Sequence, residues 1–275
     1  MHKIGIIGFG NMGQAIANQL KSDHEVYCFD ADTAKTSACG EEAAANIADL
    51  IEKSEAVILA VKPQDFENVL KEIKTCPHLL DKLFISIAAG ITTRYIENFL
   101  GVVRVIRVMP NMAIQVGQGF SCICHGKYTT AEDLDFVEAA FSYMGATLKV
   151  EEDKMNAVTA ISGSGPGFYF DIIESDPQAY QDNPGKILKD FIMHLMEAAE
   201  KSGFSHDQAI FLSTGSGIAA ETLLSKTKLT PAELKKKITS KGGTTEAGLE
   251  ILHKTGSLME AVQAATKRAG ELAKE

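Results

Sequence analysis

With 275 residues, 45% of them hydrophobic, the chain is long enough for two ordinary domains, each with its own core. A net charge of −9 argues against a partner rich in phosphate, whether nucleic acid or an anionic membrane surface. The absence of Trp and an aromatic content of 7% leave no stacking platform for single-stranded nucleic acid.

No apolar run approaches the ~20 residues of a membrane span, and no signal peptide is visible. Five cysteines, Cys28, Cys39, Cys76, Cys122 and Cys124, sit largely in apolar surroundings and read as reduced core thiols of a cytoplasmic protein. Cys122 and Cys124 share one face of a strand, but no second cysteine pair or histidine cluster completes a metal site, so none is expected.

The chain opens with Ile4-Gly5-Ile6-Ile7, an apolar run that predicts a strand buried on both faces. Gly8-Phe9-Gly10-Asn11-Met12-Gly13 follows with G-x-G-x-x-G spacing, and Met12, Ile16 and Leu20 then recur on one helical face. In a dinucleotide fold Gly8 makes the tight turn, Gly10 admits the pyrophosphate and Gly13 lets helix and strand pack closely. Residues 25–29 predict the second strand. Asp30, 20 residues after Gly10, stands where an acid bonds the adenosine ribose. A carboxylate there repels a 2′-phosphate, and Lys35 is the one nearby cation able to compensate, so the pattern leans to NADH over NADPH. The alternative is that Asp30 opens a polar turn beside Asp32.

Three more apolar strands are predicted over 56–61, 83–87 and 102–108, each ending in a breaker: Lys62-Pro63, Ala88-Ala89-Gly90 and Pro110-Asn111. Ligands of open parallel sheets bind beyond the carboxyl ends of strands, so these ends belong to the crevice of the glycine turn. Lys62 reads as a cofactor contact in preference to a strand cap. Arg107, inside an apolar strand, reads as a buried structural cation paired with a carboxylate. Residues 120–124 and 147–150 predict late edge strands around an amphipathic helix over 131–144.

A Rossmann-type domain therefore closes near Glu152, giving domains over 1–152 and 153–275. Helical patterns take over in the second, at 186–202, 205–225, 231–238, 245–254 and from 257 to the end. Ile161-Ser162-Gly163-Ser164-Gly165-Pro166-Gly167-Phe168-Tyr169 reads as a domain junction feeding a helix, with a phosphate cradle or a close backbone crossing as alternatives. Residues 174–185, polar and carrying Pro177 and Pro184, read as an exposed loop.

Thr239-Ser240-Lys241-Gly242-Gly243-Thr244-Thr245-Glu246 is a helix start with two glycines and several hydroxyls. Clustered amides and the positive end of a helix dipole suit a small carboxylate. A capping box closed by Glu246 explains the same residues without a ligand.

On the motifs Ile7-Gly8-Phe9-Gly10-Asn11-Met12-Gly13, Ala60-Val61-Lys62-Pro63-Gln64, Ser86-Ile87-Ala88-Ala89-Gly90, Arg107-Val108-Met109-Pro110-Asn111, Ser162-Gly163-Ser164-Gly165-Pro166 and Gly242-Gly243-Thr244-Thr245, the chain resembles pyrroline-5-carboxylate reductase over its whole length. The resemblance implies a Rossmann domain followed by an all-helical domain that dimerises, with dimers that assemble further into decamers. It implies NAD(P)H contacts at Gly8, Gly10, Asn11, Met12, Asp30, Val61, Lys62, Pro63, Ala88 and Ala89, and a substrate loop at Ser240, Gly243, Thr244 and Thr245. The implied substrate is a cyclic imine bearing a carboxylate: amides of Gly243 and Thr244 hold the carboxylate, Thr245 orients the ring nitrogen, and Ser240 is a weaker candidate for that task. Lys241 departs from the family's proline, Met112 and Ala113 from its Thr-Pro, Lys228 from a position often acidic, and the segment 171–189 is longer than usual. The rival readings are a β-hydroxyacid-type dehydrogenase, whose catalytic-lysine motif is absent, and a non-catalytic dinucleotide binder.

Overall fold

The computed structural model describes residues 1–37 and 39–273. Seven strands, β1 (Lys3–Ile7), β2 (Glu25–Phe29), β3 (Ala56–Leu59), β4 (Leu83–Ser86), β5 (Arg104–Pro110), β6 (Gly119–His125) and β7 (Gly145–Lys149), form one sheet in the order β2-β1-β3-β4-β5-β6-β7. The pairs β1–β2, β1–β3, β3–β4 and β4–β5 are parallel, with Ile7 opposite Phe29 on one side and Leu59 on the other. β3 and β4 are buried at every residue and β1 at all but its first, as unbroken apolar runs covered on both faces must be. The chain runs outward from β1 to β2 and returns to the other side of β1 with β3. The switch point at the carboxyl end of β1 is thus where such a sheet opens a ligand crevice.

Helices α1 (Asn11–Leu20), α2 (Thr33–Ser37), α3 (Ile47–Lys53), α4 (Phe66–Ile73), α5 (Thr93–Leu100) and α6 (Ala131–Ser142) accompany the strands. α1 starts on Gly10 and buries Gly13, Ile16, Ala17 and Leu20, four residues or fewer apart, which gives it one apolar face. Leu50, Phe66, Leu70 and Phe84 share a fully buried core, each contributing about 1.5–3 kcal/mol of transfer free energy. One compact unit comprises Met1–Val108 and Ile123–Glu152 with Ala273; the other comprises Met109–Cys122 and Asp153–Leu272.

The second unit is helical: α7 (Met155–Val158), α8 (Gly165–Ser175), α9 (Pro177–Asp182), α10 (Pro184–Lys201), α11 (His206–Lys226), α12 (Pro231–Ile238), α13 (Thr244–Thr255) and α14 (Leu258–Leu272). A π-helical turn, Thr159–Gly163, joins α7 to α8, and its last bond runs from the Ser164 amide to the Thr159 carbonyl at 2.9 Å. Among the described residues no helix is long and apolar enough to cross a membrane.

Three expectations need correction. Of the two late strands expected at an edge, only β7 lies there, since β6 sits between β5 and β7. Residues 174–185 are largely exposed, as expected, but they are helical apart from the caps Asp176 and Asn183 and do not form a loop. Pro177 and Pro184 stand in first turns, where a missing N–H costs nothing, and Asp176 and Asn183 cap those turns by accepting from the amides of Ala179 and Lys186, both at 3.0 Å. Cys28 and Cys39 are joined in a disulfide and are not reduced core thiols. The chain after β2 doubles back so that the Ala44 amide bonds the Cys28 carbonyl at 2.9 Å, and the two cysteine Cα atoms come within 6.3 Å. Cys122 and Cys124 are buried thiols on β6; burial pushes the Cys124 thiol up to about 12.

Candidate active site

In the sheet unit, the glycine turn is built by steric demand. Gly8 has φ +99°, and a Cβ on it would lie 2.7 Å from the Ala60 backbone. On Gly13 a Cβ would lie 2.0 Å from the Gly8 carbonyl oxygen, so helix and turn pack with no room for a side chain. Nothing lies within 4 Å of a Cβ on Gly10, which leaves the backbone there open to a ligand.

Asp30 stitches this turn to the end of β2. One carboxylate oxygen accepts from the Phe9 amide at 2.8 Å, and the other accepts from the Asp32 amide at 2.9 Å. Lys35 lies 3.8 Å from Asp30 and 3.7 Å from Asp32, so its charge is held between two carboxylates. Gly8, Gly10, Asp30, Lys35, Val61 and Lys62 line a cavity of about 320 Å³. Of the other expected cofactor residues, Asn11 and Met12 begin α1, Pro63 lies in the turn before α4, and Ala88 and Ala89 follow β4, all outside that lining. Lys62 is exposed, and its carbonyl accepts from the Asp65 amide at 3.0 Å.

Arg107 is 2% exposed, with Nη1 3.6 Å from Glu152. Burial pulls its guanidinium below the usual arginine range, and Glu152 opposes that pull. Glu152 also accepts from the Thr93 amide and hydroxyl at 2.7 and 2.6 Å.

In the helical unit, the loop before α13 is tied down at several points. Gly242 takes φ +70°; its amide donates to Glu246 at 2.6 Å and its carbonyl accepts from Arg268 Nε at 2.9 Å. Gly243 is the N-cap in extended conformation, and its amide donates to the Ser240 carbonyl at 3.0 Å. That amide is engaged, so the first-turn donors with no helical carbonyl to meet them are those of Thr244, Thr245 and Glu246. A Cβ on Gly243 would lie 2.3 Å from Ser240 Oγ, which explains the second glycine. Ser240 and Lys241 are exposed, Thr244 is half-buried, and Thr245 is 3% exposed. Ser164, read from sequence only as part of a junction, lies 3.0 Å from the hydroxyls of both Thr244 and Thr245. Its separation of 81 residues from Thr245 left no local signal for that contact.

Comparison with known proteins adds two family profiles and close relatives. Residues 3–90 match a family described as NADP oxidoreductase coenzyme F420-dependent, and residues 188–272 match one described as pyrroline-5-carboxylate reductase dimerisation. A pyrroline-5-carboxylate reductase of Methanosarcina acetivorans is 34% identical, over 99% of this chain and 98% of its own length. The structure of a pyrroline-5-carboxylate reductase from Coxiella burnetii superposes with a TM-score of 0.67 at 28% identity, covering 100% of this chain and 99% of the other. A Plasmodium falciparum pyrroline carboxylate reductase with NADP bound gives 0.59 at 26% identity, covering 99% and 98%.

Proposed function

Because the chain belongs to the pyrroline-5-carboxylate reductase family, we propose that it reduces 1-pyrroline-5-carboxylate to L-proline with NAD(P)H. The observation that carries this reading is full-length likeness to such reductases, in a chain that retains both the glycine turn and the hydroxyl-rich start of α13. The open backbone at Gly10 fits a pyrophosphate, and Gly8, Val61, Lys62 and Asp30 are the residues that would hold the dinucleotide. Asn11, Met12, Pro63, Ala88 and Ala89 are proposed to complete that set. When bound, NAD(P)H supplies a hydride to the imine carbon while the C=N electron pair moves onto nitrogen.

The chain's own part is positioning. First-turn amides of α13 at Thr244 and Thr245, with the positive end of the helix dipole, hold the substrate carboxylate; the Gly243 amide, expected from sequence to share that task, is already bonded to the Ser240 carbonyl. Thr245 Oγ1 orients the ring nitrogen, and Ser240 flanks the loop. Protonation of the imine before reaction makes its carbon electrophilic, so no strong protein acid is needed; orientation then supplies most of the acceleration. Thr245→Val is expected to lower kcat/KM for pyrroline-5-carboxylate at least about tenfold, or ~1.4 kcal/mol, with the KM of the dinucleotide unchanged. Unaltered turnover would remove Thr245 from the site.

The finer cofactor reading is NADH. Asp30 places a carboxylate at the ribose position, and Lys35, the cation able to offset it, is already shared between Asp30 and Asp32. Wild type is expected to give the higher kcat/KM with NADH, and Asp30→Ser to shift the ratio about tenfold toward NADPH. A tenfold wild-type preference for NADPH overturns this reading. The match over 188–272 supports a homodimer, with decamers as the further assembly.

A further inference from the structure

Residues 162–167 read in the sequence as a junction, with a phosphate cradle or a close backbone crossing as alternatives; in the structure Ser164 and Gly167 both meet Thr245. A Cβ on Gly167 would lie 2.7 Å from Thr245 Cγ2, so the threonine methyl is seated where only glycine leaves space. One helical turn on, a Cβ on Gly248 would meet Phe168 at 2.4 Å, which locks α13 against α8 in register. The Thr245 hydroxyl donates to Ser164 Oγ at 3.0 Å, and Ser164 Oγ is also 3.0 Å from Thr244 Oγ1. Ser164 is itself fixed: it is 1% exposed, and its amide closes the π-helical turn on Thr159. From α11, Ser216 braces that turn by donating to the Ile161 carbonyl at 2.9 Å.

We propose that Ser164 is a positioning residue for the reduction, holding the Thr245 hydroxyl so that its oxygen lone pairs, rather than its proton, meet the substrate nitrogen. A hydroxyl has one proton to donate, and that of Thr245 is committed to Ser164. What remains at Thr245 Oγ1 is an acceptor, the partner that the N–H of a protonated imine requires. Ser164 thereby selects the reactive protonation state of the substrate without touching it. Gly167 performs the complementary task on the methyl side, so the χ1 rotamer of Thr245 is set from two directions.

The inference rests on the assignment of Thr245 to the substrate, and the experiment separates the two. Steady-state kinetics are measured for wild type, Ser164→Ala, Thr245→Val and the double variant. Ser164→Ala is expected to lower kcat at least fivefold, with the KM of NAD(P)H and of pyrroline-5-carboxylate each within twofold of wild type. In the Thr245→Val background the same change is expected to alter kcat less than twofold. If Thr245→Val is costly and Ser164→Ala is silent, Ser164 has no such role; an equal loss from Ser164→Ala in both backgrounds overturns it too. If Thr245→Val is itself silent, the assignment of Thr245 fails first. Should Ser164→Ala fold poorly, Ser164→Cys keeps the volume with a poor acceptor and is expected to lower kcat at least threefold; wild-type kcat in that variant overturns the proposal.

Discussion

At the start of α1 the chain passes from β1 through Gly8 to Gly10, and at the start of α13 it passes through Gly242 to Gly243. Both glycine pairs put one residue at positive φ and one at an extended N-cap. Their supports differ. The first turn is held from within its own βαβ unit: Asp30 at the end of the next strand accepts from the Phe9 amide, the Gly8 amide donates to the Phe29 carbonyl, and Gln14 Nε2 donates to the Phe9 carbonyl. The second is held by Ser164, Arg268 and Glu246, drawn from the N-cap of α8, from α14 and from α13. A turn supported inside one βαβ unit keeps its shape wherever that unit folds. A turn supported by three helices depends on their packing, and with it the direction of each hydroxyl.

The largest expected effect breaks the first turn and leaves the second intact. Gly13→Val forces a side chain to within 2.0 Å of the Gly8 carbonyl position and is expected to raise the Kd for NADH roughly 50-fold, or ~2–3 kcal/mol, by fluorescence titration. The far-UV helical signal, which comes mostly from the second unit, is expected to stay near wild type.

Breaking the second turn gently comes next. Gly167→Ala inserts a methyl 2.7 Å from Thr245 Cγ2, and the expected result is a fall in kcat of about fivefold with unchanged dinucleotide KM. If the KM of the dinucleotide moves instead, the two turns are not the separate devices described above.

The smallest effect sharpens the contrast in how each turn is braced. The Cys28–Cys39 disulfide closes a loop of about a dozen residues that carries Asp30 and Lys35, whereas every brace around the α13 turn is non-covalent. Cys39→Ser is expected to lower Tm by about 2–5 °C in a calorimetric scan, with kcat under saturating NADH unchanged. A thiol titration of the denatured wild type under non-reducing conditions is expected to count three thiols, since two of the five cysteines are bonded and two of the remaining three are buried in the fold.

Much of the first unit was legible because its cues are local. Buried parallel strands need unbroken apolar runs, as at Ala56–Leu59 and Leu83–Ser86, and a glycine turn followed 20 residues later by Asp30 lies within one supersecondary unit. The prolines at 177 and 184 misled because a breaker and a first-turn residue look alike until the caps at Asp176 and Asn183 are seen. Cysteine pairing was equally hidden, since an odd count in apolar surroundings carries no partner information.

By itself the sequence determined the family, the strand-and-helix alternation, the glycine turn and the hydroxyl-bearing loop before α13, all set by residues near one another in the chain. Only the tertiary structure decided that the Gly243 amide donates to Ser240, that Lys35 is shared between two carboxylates, and that Ser164 accepts the hydrogen bond of the Thr245 hydroxyl from 81 residues away. The physical reason is that a hydroxyl or an amide has few hydrogen bonds to give, and packing, not sequence proximity, settles where each one goes.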